Sequence, residues 1–217
     1  MAPTLYMIPP SPPVRSVLMT AKALGLTLNE KIINFPAGEH LQPEYLKLNP
    51  QHTVPTLVDD DGFAVWDSNA INPYLIGKYA KDDSLYPQDL QKRAIVDQRL
   101  HFNGSVAFGA VAGIVRCILY EGKTCLDDND KTRVEQVYAF LEAFLDDGKP
   151  WMAGDCLTVA DYNLYATVSA GDVLVPIDGQ KYPKVATWFE KVGNLPEAEA
   201  TKKGLAIFES LISSKLQ

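Results

Sequence analysis

The stretch TLYMIPPSPPVRSVLMTAKALGL, residues 4–26, runs from a short apolar strand, Thr4 to Ile8, into a helical pattern, Val14 to Leu26. The joint is Pro9-Pro10-Ser11-Pro12-Pro13. Proline is tolerated in the first turn of a helix, where backbone donors lack partners, and serine is a favoured residue at the cap before it. Ser11 is therefore the expected N-cap. A helix start carries unpaired N–H groups and a partial positive charge, so a thiolate placed there is stabilised relative to its thiol. The cysteines Cys117, Cys125 and Cys156 lie far downstream, so a thiolate at Ser11 has to come from a ligand. That points to a thiol-carrying cosubstrate. Taken alone, the stretch reads as a plain cap with prolines stiffening a turn, and the residues that follow shift the balance.

Working outward, Leu28 to Phe35 reads as a second strand with alternating character. Two short strands, Pro55 to Val58 and Phe63 to Trp66, flank Asp60-Asp61-Gly62, whose Asp-Gly step is a hairpin signal. A helix is expected over Ser68 to Tyr79. A β-α-β unit followed by a hairpin and a helix is the order of a thioredoxin-like α/β domain, placed at residues 1–80. The pattern breaks over 81–87, with Asp82-Asp83-Ser84 and Pro87, which reads as a linker. Residues 88–217 read as an all-α domain, with helices at Gln88–Tyr120, Asn129–Asp146, Val159–Leu174, Tyr182–Leu195 and Leu205–Ser213. Thr158-Val159-Ala160-Asp161 fits a capping box, with Leu157 and Tyr162 placed as a hydrophobic staple. This motif starts a core helix and does no chemistry.

Composition narrows the function. The chain has 217 residues, and 47% hydrophobic with 22% charged residues is ordinary for a soluble globular protein. A net charge of −7 without Lys/Arg clusters counts against nucleic acid as a partner. The start, MAPTLYMIPP, lacks the pattern of a signal peptide, and the apolar stretch Val106 to Val115 is too short to cross a membrane. No membrane partner is expected. Scattered cysteines give neither a disulfide framework nor a zinc site, and His40, His52 and His101 show no ligand spacing, so no metal is expected. The default location is a reducing cytoplasm.

The chain resembles the cytosolic glutathione transferases, most closely the insect delta and epsilon classes, with epsilon favoured. The resemblance rests on SPPVRSV after the first strand, LNPQHTVPTL ahead of the hairpin, DSNAI opening the third helix and GDCLTVADYNL in the helical domain. It implies a thioredoxin-like N-terminal domain, an all-helical C-terminal domain and a homodimer. It also implies glutathione as cosubstrate and hydrophobic electrophiles as its targets, with detoxification of xenobiotics as the role. Peroxidase or dehydrochlorinase chemistry would be a side activity. A non-catalytic carrier of apolar ligands is the alternative.

Each part of glutathione needs its own partner. Gln51 and His52 offer donors to its glycine carboxylate, and the resemblance adds His40, in GEHLQPEY. A nearby carboxylate would favour protonated imidazole at both histidines. Val54-Pro55 matches the family's cis-proline turn, freeing the Val54 backbone for the cysteinyl amide; from the residues alone Pro55 is equally compatible with trans. Ser68 and its N–H suit the γ-glutamyl carboxylate, and Asp67 the amine. Asn69, also expected at this end of glutathione, stands where delta relatives often carry Arg and epsilon relatives His, and a neutral amide there implies a grip that is looser or shared with the partner subunit.

Catalysis is expected from Ser11 donating to the glutathione sulfur, with Tyr6 as the rival. The resemblance places the electrophile against Phe35, Phe108, Val111, Ala112, Val115, Leu119, Leu205 and Phe208, with Arg116 and Tyr120 as a polar end. Gly109 and Gly113 are expected to leave room in that pocket. A plain core helix is the competing reading for some of these positions.

Overall fold

The alternation of Leu5 and Met7 into the interior with Thr4 and Tyr6 outward makes β1, Thr4–Met7, the centre of a small sheet. The structure, a computed structural model, describes residues 2–145 and 148–216. β1 pairs in parallel with β2, Asn29–Ile32, and antiparallel with β3, Thr56–Val58; β3 pairs antiparallel with β4, Ala64–Trp66. The order β2-β1-β3-β4, with α1 (Pro12–Ala23) and α3 (Ser68–Tyr79) packed together, is the thioredoxin-like arrangement. Leu5, Met7, Val14, Val17, Leu57, Ile71 and Leu75 form its core.

β2 is shorter than Leu28 to Phe35. Its last rung is the Ile33 N–H to the Met7 carbonyl at 2.9 Å, after which side chains replace the ladder. The Asn34 N–H donates to Glu39 and the Ala37 N–H to the Asn34 side chain. A 3-10 turn, Glu39–Leu41, and a short helix α2, Pro43–Leu48, follow. Neither was expected, although Pro43 at the helix start is a readable signal. The hairpin forms as expected, with Gly62 at φ 86° closing its turn. Asp59 at the end of β3 accepts from Tyr74, Lys78 and Tyr79, pinning the hairpin to α3.

α4 (Leu90–Phe102), a π-helical turn (Asn103–Ala107) and α5 (Phe108–Tyr120) follow one another directly. The 31 residues from Leu90 to Tyr120 are long and apolar enough to cross a bilayer by length and composition. Val96, Leu100, Ala107, Val111, Ile114 and Ile118 of this stretch are buried inside the protein. α6 (Asp128–Phe144), α7 (Val159–Leu174), α8 (Pro183–Gly193) and α9 (Glu199–Ser213) complete the helical half. The expected end of α6 at Asp146 lies outside the described residues. α9 begins well before Leu205, because its first turns carry Thr201, Lys202, Lys203 and Gly204 and show no apolar period.

α7 is buried along nearly its whole length and is the axis of this half. Its capping box forms, with Asp161 accepting from the Thr158 N–H at 2.9 Å. Asp161 also accepts from the Met152 N–H and from Trp188 Nε1, each at 2.9 Å. The box therefore ties three segments together. α1 joins the halves, packing on α3 and on both α7 and α9.

Candidate functional site

Strand register gathers the predicted residues at one end of the sheet. Tyr6 pairs with Thr56 and Thr56 with Trp66, so the loop leaving β1, the Val54-Pro55 turn and the start of α3 are neighbours. Ser11 takes the N-cap position with an extended backbone, φ −64° and ψ 121°, but its side chain makes no capping hydrogen bond. Pro12 and Pro13 hold the first two helical positions and carry no N–H, so of the two usual capping donors only the Val14 N–H is left, and Ser11 does not take it. Among the described residues the hydroxyl makes no hydrogen bond.

A cleft of about 220 Å³ opens beside it, lined by Ile8, Pro10, Ser11 and Pro12 from the loop. Phe108, Val111, Ala112, Val115, Arg116, Leu119 and Tyr120 of α5 form one wall, and Phe208, Leu211 and Ile212 of α9 the other. Leu211 and Ile212 were missed, although they follow Phe208 at helical spacing. Two expected residues stand elsewhere. Phe35 stacks on His40 with ring centroids 4.2 Å apart, and Leu205 packs against the helical core. Gly109 and Gly113 also depart from expectation, lying on the other side of α5. Gly109 borders a separate cleft with Arg133, and a Cβ on Gly113 would sit 3.2 Å from the Arg133 guanidinium. Tyr6, the rival to Ser11, lines a different cleft with Lys31, Glu39 and Tyr45. Arg116 is exposed and bridges Glu121 at 3.1 Å.

The closest approach in this region is at Gly204 of α9. A Cβ there would lie 2.2 Å from the Pro9 carbonyl oxygen, so only glycine lets α9 seat against the loop that carries Ser11. Gly204→Ala is expected to push the two apart, lowering stability by about 1–3 kcal/mol. Turnover should fall with every electrophile. Thermal melts with parallel kinetics check this, and an unchanged melting temperature would contradict the close packing.

Around the turn, Val54-Pro55 is cis and His52 has φ 48°. The Val54 backbone groups make no hydrogen bond within the described residues. Gln51 accepts from Trp66 Nε1 at 2.7 Å; an indole can only donate, so the Gln51 oxygen is committed and its NH₂ is left to donate outward. The His40 and His52 rings lie 6.1 Å apart, and His40 Nδ1 is buried without a partner. Burial, then the neighbouring His52, draws the His40 pKa below its usual value. The protonated form was expected only with a carboxylate beside it, as a bound ligand would supply.

Ser68 starts α3 buried, and its hydroxyl makes no hydrogen bond within the described residues. Asp67 has φ 71° and accepts from the Asn69 N–H at 2.8 Å, so its carboxylate is fixed over the helix start. Asn69 is tied to its neighbours, with one amide hydrogen left to donate elsewhere. Its NH₂ donates to Asp67 at 3.0 Å, while its oxygen accepts from Asn163 of α7 at 2.9 Å and from Asn103 of the π-turn at 3.3 Å. Asn163 in turn accepts from Asn72 at 2.6 Å. Asn163 and Asn72 lie far from Asn69 or inside a helix, and no local spacing announces them.

Comparison with known proteins bears on this geometry. Residues 10–76 match the family described as glutathione S-transferase, N-terminal domain, and residues 101–196 match glutathione S-transferase, C-terminal domain. The chain is 44% identical to glutathione S-transferase 1 of Manduca sexta over 219 aligned residues, covering the whole of both proteins. An epsilon-class glutathione S-transferase from the housefly, Musca domestica, superposes with a TM-score of 0.94 at 44% identity, covering 98% of each chain. A glutathione transferase homologue from Drosophila mojavensis, solved with bound glutathione, gives 0.94 at 42% identity, covering 99% of this chain and 98% of that one.

Proposed function

This chain belongs to the glutathione S-transferase family and is a transferase of that kind; from that premise we propose that Ser11 binds the sulfur of glutathione and that the cleft between α5 and α9 takes a hydrophobic electrophile. The observation that carries the reading is an uncommitted serine hydroxyl bordering an apolar cleft. Glutathione lies along the end of the sheet. Its glycine carboxylate meets the Gln51 NH₂, His52 and His40, and its cysteinyl backbone pairs with Val54 beside cis-Pro55. Its γ-glutamyl carboxylate meets the Ser68 N–H and hydroxyl, and its amine meets Asp67. Asn69 holds Asp67 with one amide hydrogen and offers the other to the γ-glutamyl end.

The chemistry follows from that placement. The thiol loses its proton to water, the Ser11 hydroxyl donates to the resulting anion, and the sulfur forms a bond to carbon as halide leaves an aryl halide, or as the π pair of an unsaturated carbonyl shifts to the enolate, which takes a proton from water. Phe108, Val111, Val115, Leu119 and Phe208 exclude water and hold the substrate by apolar contact. Rates over aryl halides, hydroperoxides, unsaturated carbonyls and organochlorines with glutathione test the assignment and rank substrates. Ligand binding without turnover of any of them would favour the carrier.

The wall of the cleft should set selectivity. Phe108→Ala or Val115→Phe is expected to reorder small and bulky electrophiles while glutathione affinity stays within a few fold. Uniform loss of activity with earlier melting would instead mark both residues as core. We further propose a cytoplasmic homodimer, supported by exposed Leu90, Ile95, Val106 and Phe140 on the helical half. A monomer mass by light scattering, or recovery with membranes, would count against it.

A further inference from the structure

The first turn of α1 offers an anion fewer donors than usual, because Pro12 and Pro13 supply no N–H groups and Val14 is the first helical residue that does. A cation stands behind it. Arg15, one helical turn on from Ser11, is fully enclosed, donating from Nη1 to Ser169 Oγ at 2.7 Å and from Nη2 to the Ala166 carbonyl at 2.9 Å. Its Nε is buried without a partner. α9 closes over it, since a Cβ at Gly204 would lie 3.0 Å from Arg15 Cδ.

Both acceptors are neutral, and among the described residues no carboxylate is in ion-pair contact with Arg15. Tyr165 of α7 and Glu209 of α9 are the ionisable groups whose charge reaches it, while burial draws its pKa down to about 10, leaving it charged at neutral pH. Burying a cation against neutral partners costs stability, and a neutral side chain would link α1 to α7 without that cost. The charge itself needs a reason.

We propose that Arg15 is the fixed positive charge that favours the ionised glutathione sulfur at Ser11, acting through the low-dielectric interior without touching it. The inference rests on the placement of the sulfur at Ser11 given above. As a general scale, a unit charge about 10 Å from an ionising group at an effective dielectric near 20 shifts its pKa by about one unit. That is enough to change the thiolate population severalfold near neutral pH. The seal formed by Gly204 matters because water would screen the charge.

The test is the thiolate absorbance of bound glutathione against pH, with melting curves, in wild type, Arg15→Met, Ser169→Asp and Ser11→Ala. Arg15→Met should raise the thiol pKa by about one unit. Ser169→Asp sets a carboxylate against the guanidinium, so it should raise the pKa too while keeping the α1–α7 link. If Arg15→Met does not fold, Ser169→Asp decides alone. A shift in Ser11→Ala with none in the folded Arg15 and Ser169 variants overturns the role of Arg15 only. No shift in any variant overturns the placement at Ser11 as well.

Discussion

Ser11→Ala is expected to lower turnover by about 10²–10³-fold, the usual effect of removing one preorganised donor to a developing anion. Its hydroxyl makes no capping bond, so the substitution takes nothing from the helix and the melting temperature should hold. Glutathione affinity should also hold, because the contacts proposed for its two carboxylates and its amine lie at Gln51, His52, Ser68 and Asp67. The loss should therefore appear in kcat. The pH profile gives the mechanism a second reading: the apparent pKa of the rate should rise, so that activity recovers partly in alkali. A mutant with wild-type kcat and an unmoved profile would remove Ser11 from the chemistry.

Asp161→Ala is expected to cost about 3–5 kcal/mol of stability, by leaving several buried donors without an acceptor. The carboxylate is fully buried and serves the Met152 and Thr158 N–H groups and the Trp188 indole. It thus joins the start of α7 to α8 and to the loop before α7. Asp161→Asn keeps the shape with one good acceptor oxygen and should fall between. Denaturant titration followed by tryptophan fluorescence checks both, since Trp188 reports on the site directly. A midpoint near that of wild type would show that the donors find other partners.

Much of the architecture was readable because its signals are local. The Asp-Gly step at 61–62, the prolines around Ser11 and the box at Thr158 each act within a few residues, and each produced the element expected. The shortened β2 was not readable, because it ends where Asn34 and Glu39 side chains compete with the ladder. In the candidate site, eight of the expected cleft residues line it: Phe108, Val111, Ala112, Val115, Arg116, Leu119, Tyr120 and Phe208. Phe35 reads as one more apolar residue until His40 is seen stacked on it. The hold on Asn69 was not readable because its partner Asn163 is 94 residues away, and only folding brings the two amides together. Ser11 takes the expected N-cap position without the expected capping bond. The flanking prolines that make it look like a cap also withhold one of the two N–H groups that a capping hydroxyl would take.

The seating of α1 against α7 and α9 has a consequence for building hybrids from related chains. Cutting at the stretch between α3 and α4 would divide the polypeptide neatly but sever a shared surface, because Arg15 is matched to Ser169 and Pro9 to Gly204 across the cut. A transplanted first half should function only in a recipient that offers a small residue opposite Pro9 and acceptors for the guanidinium. Compatibility between parents is then decided at those few positions more than by their average similarity.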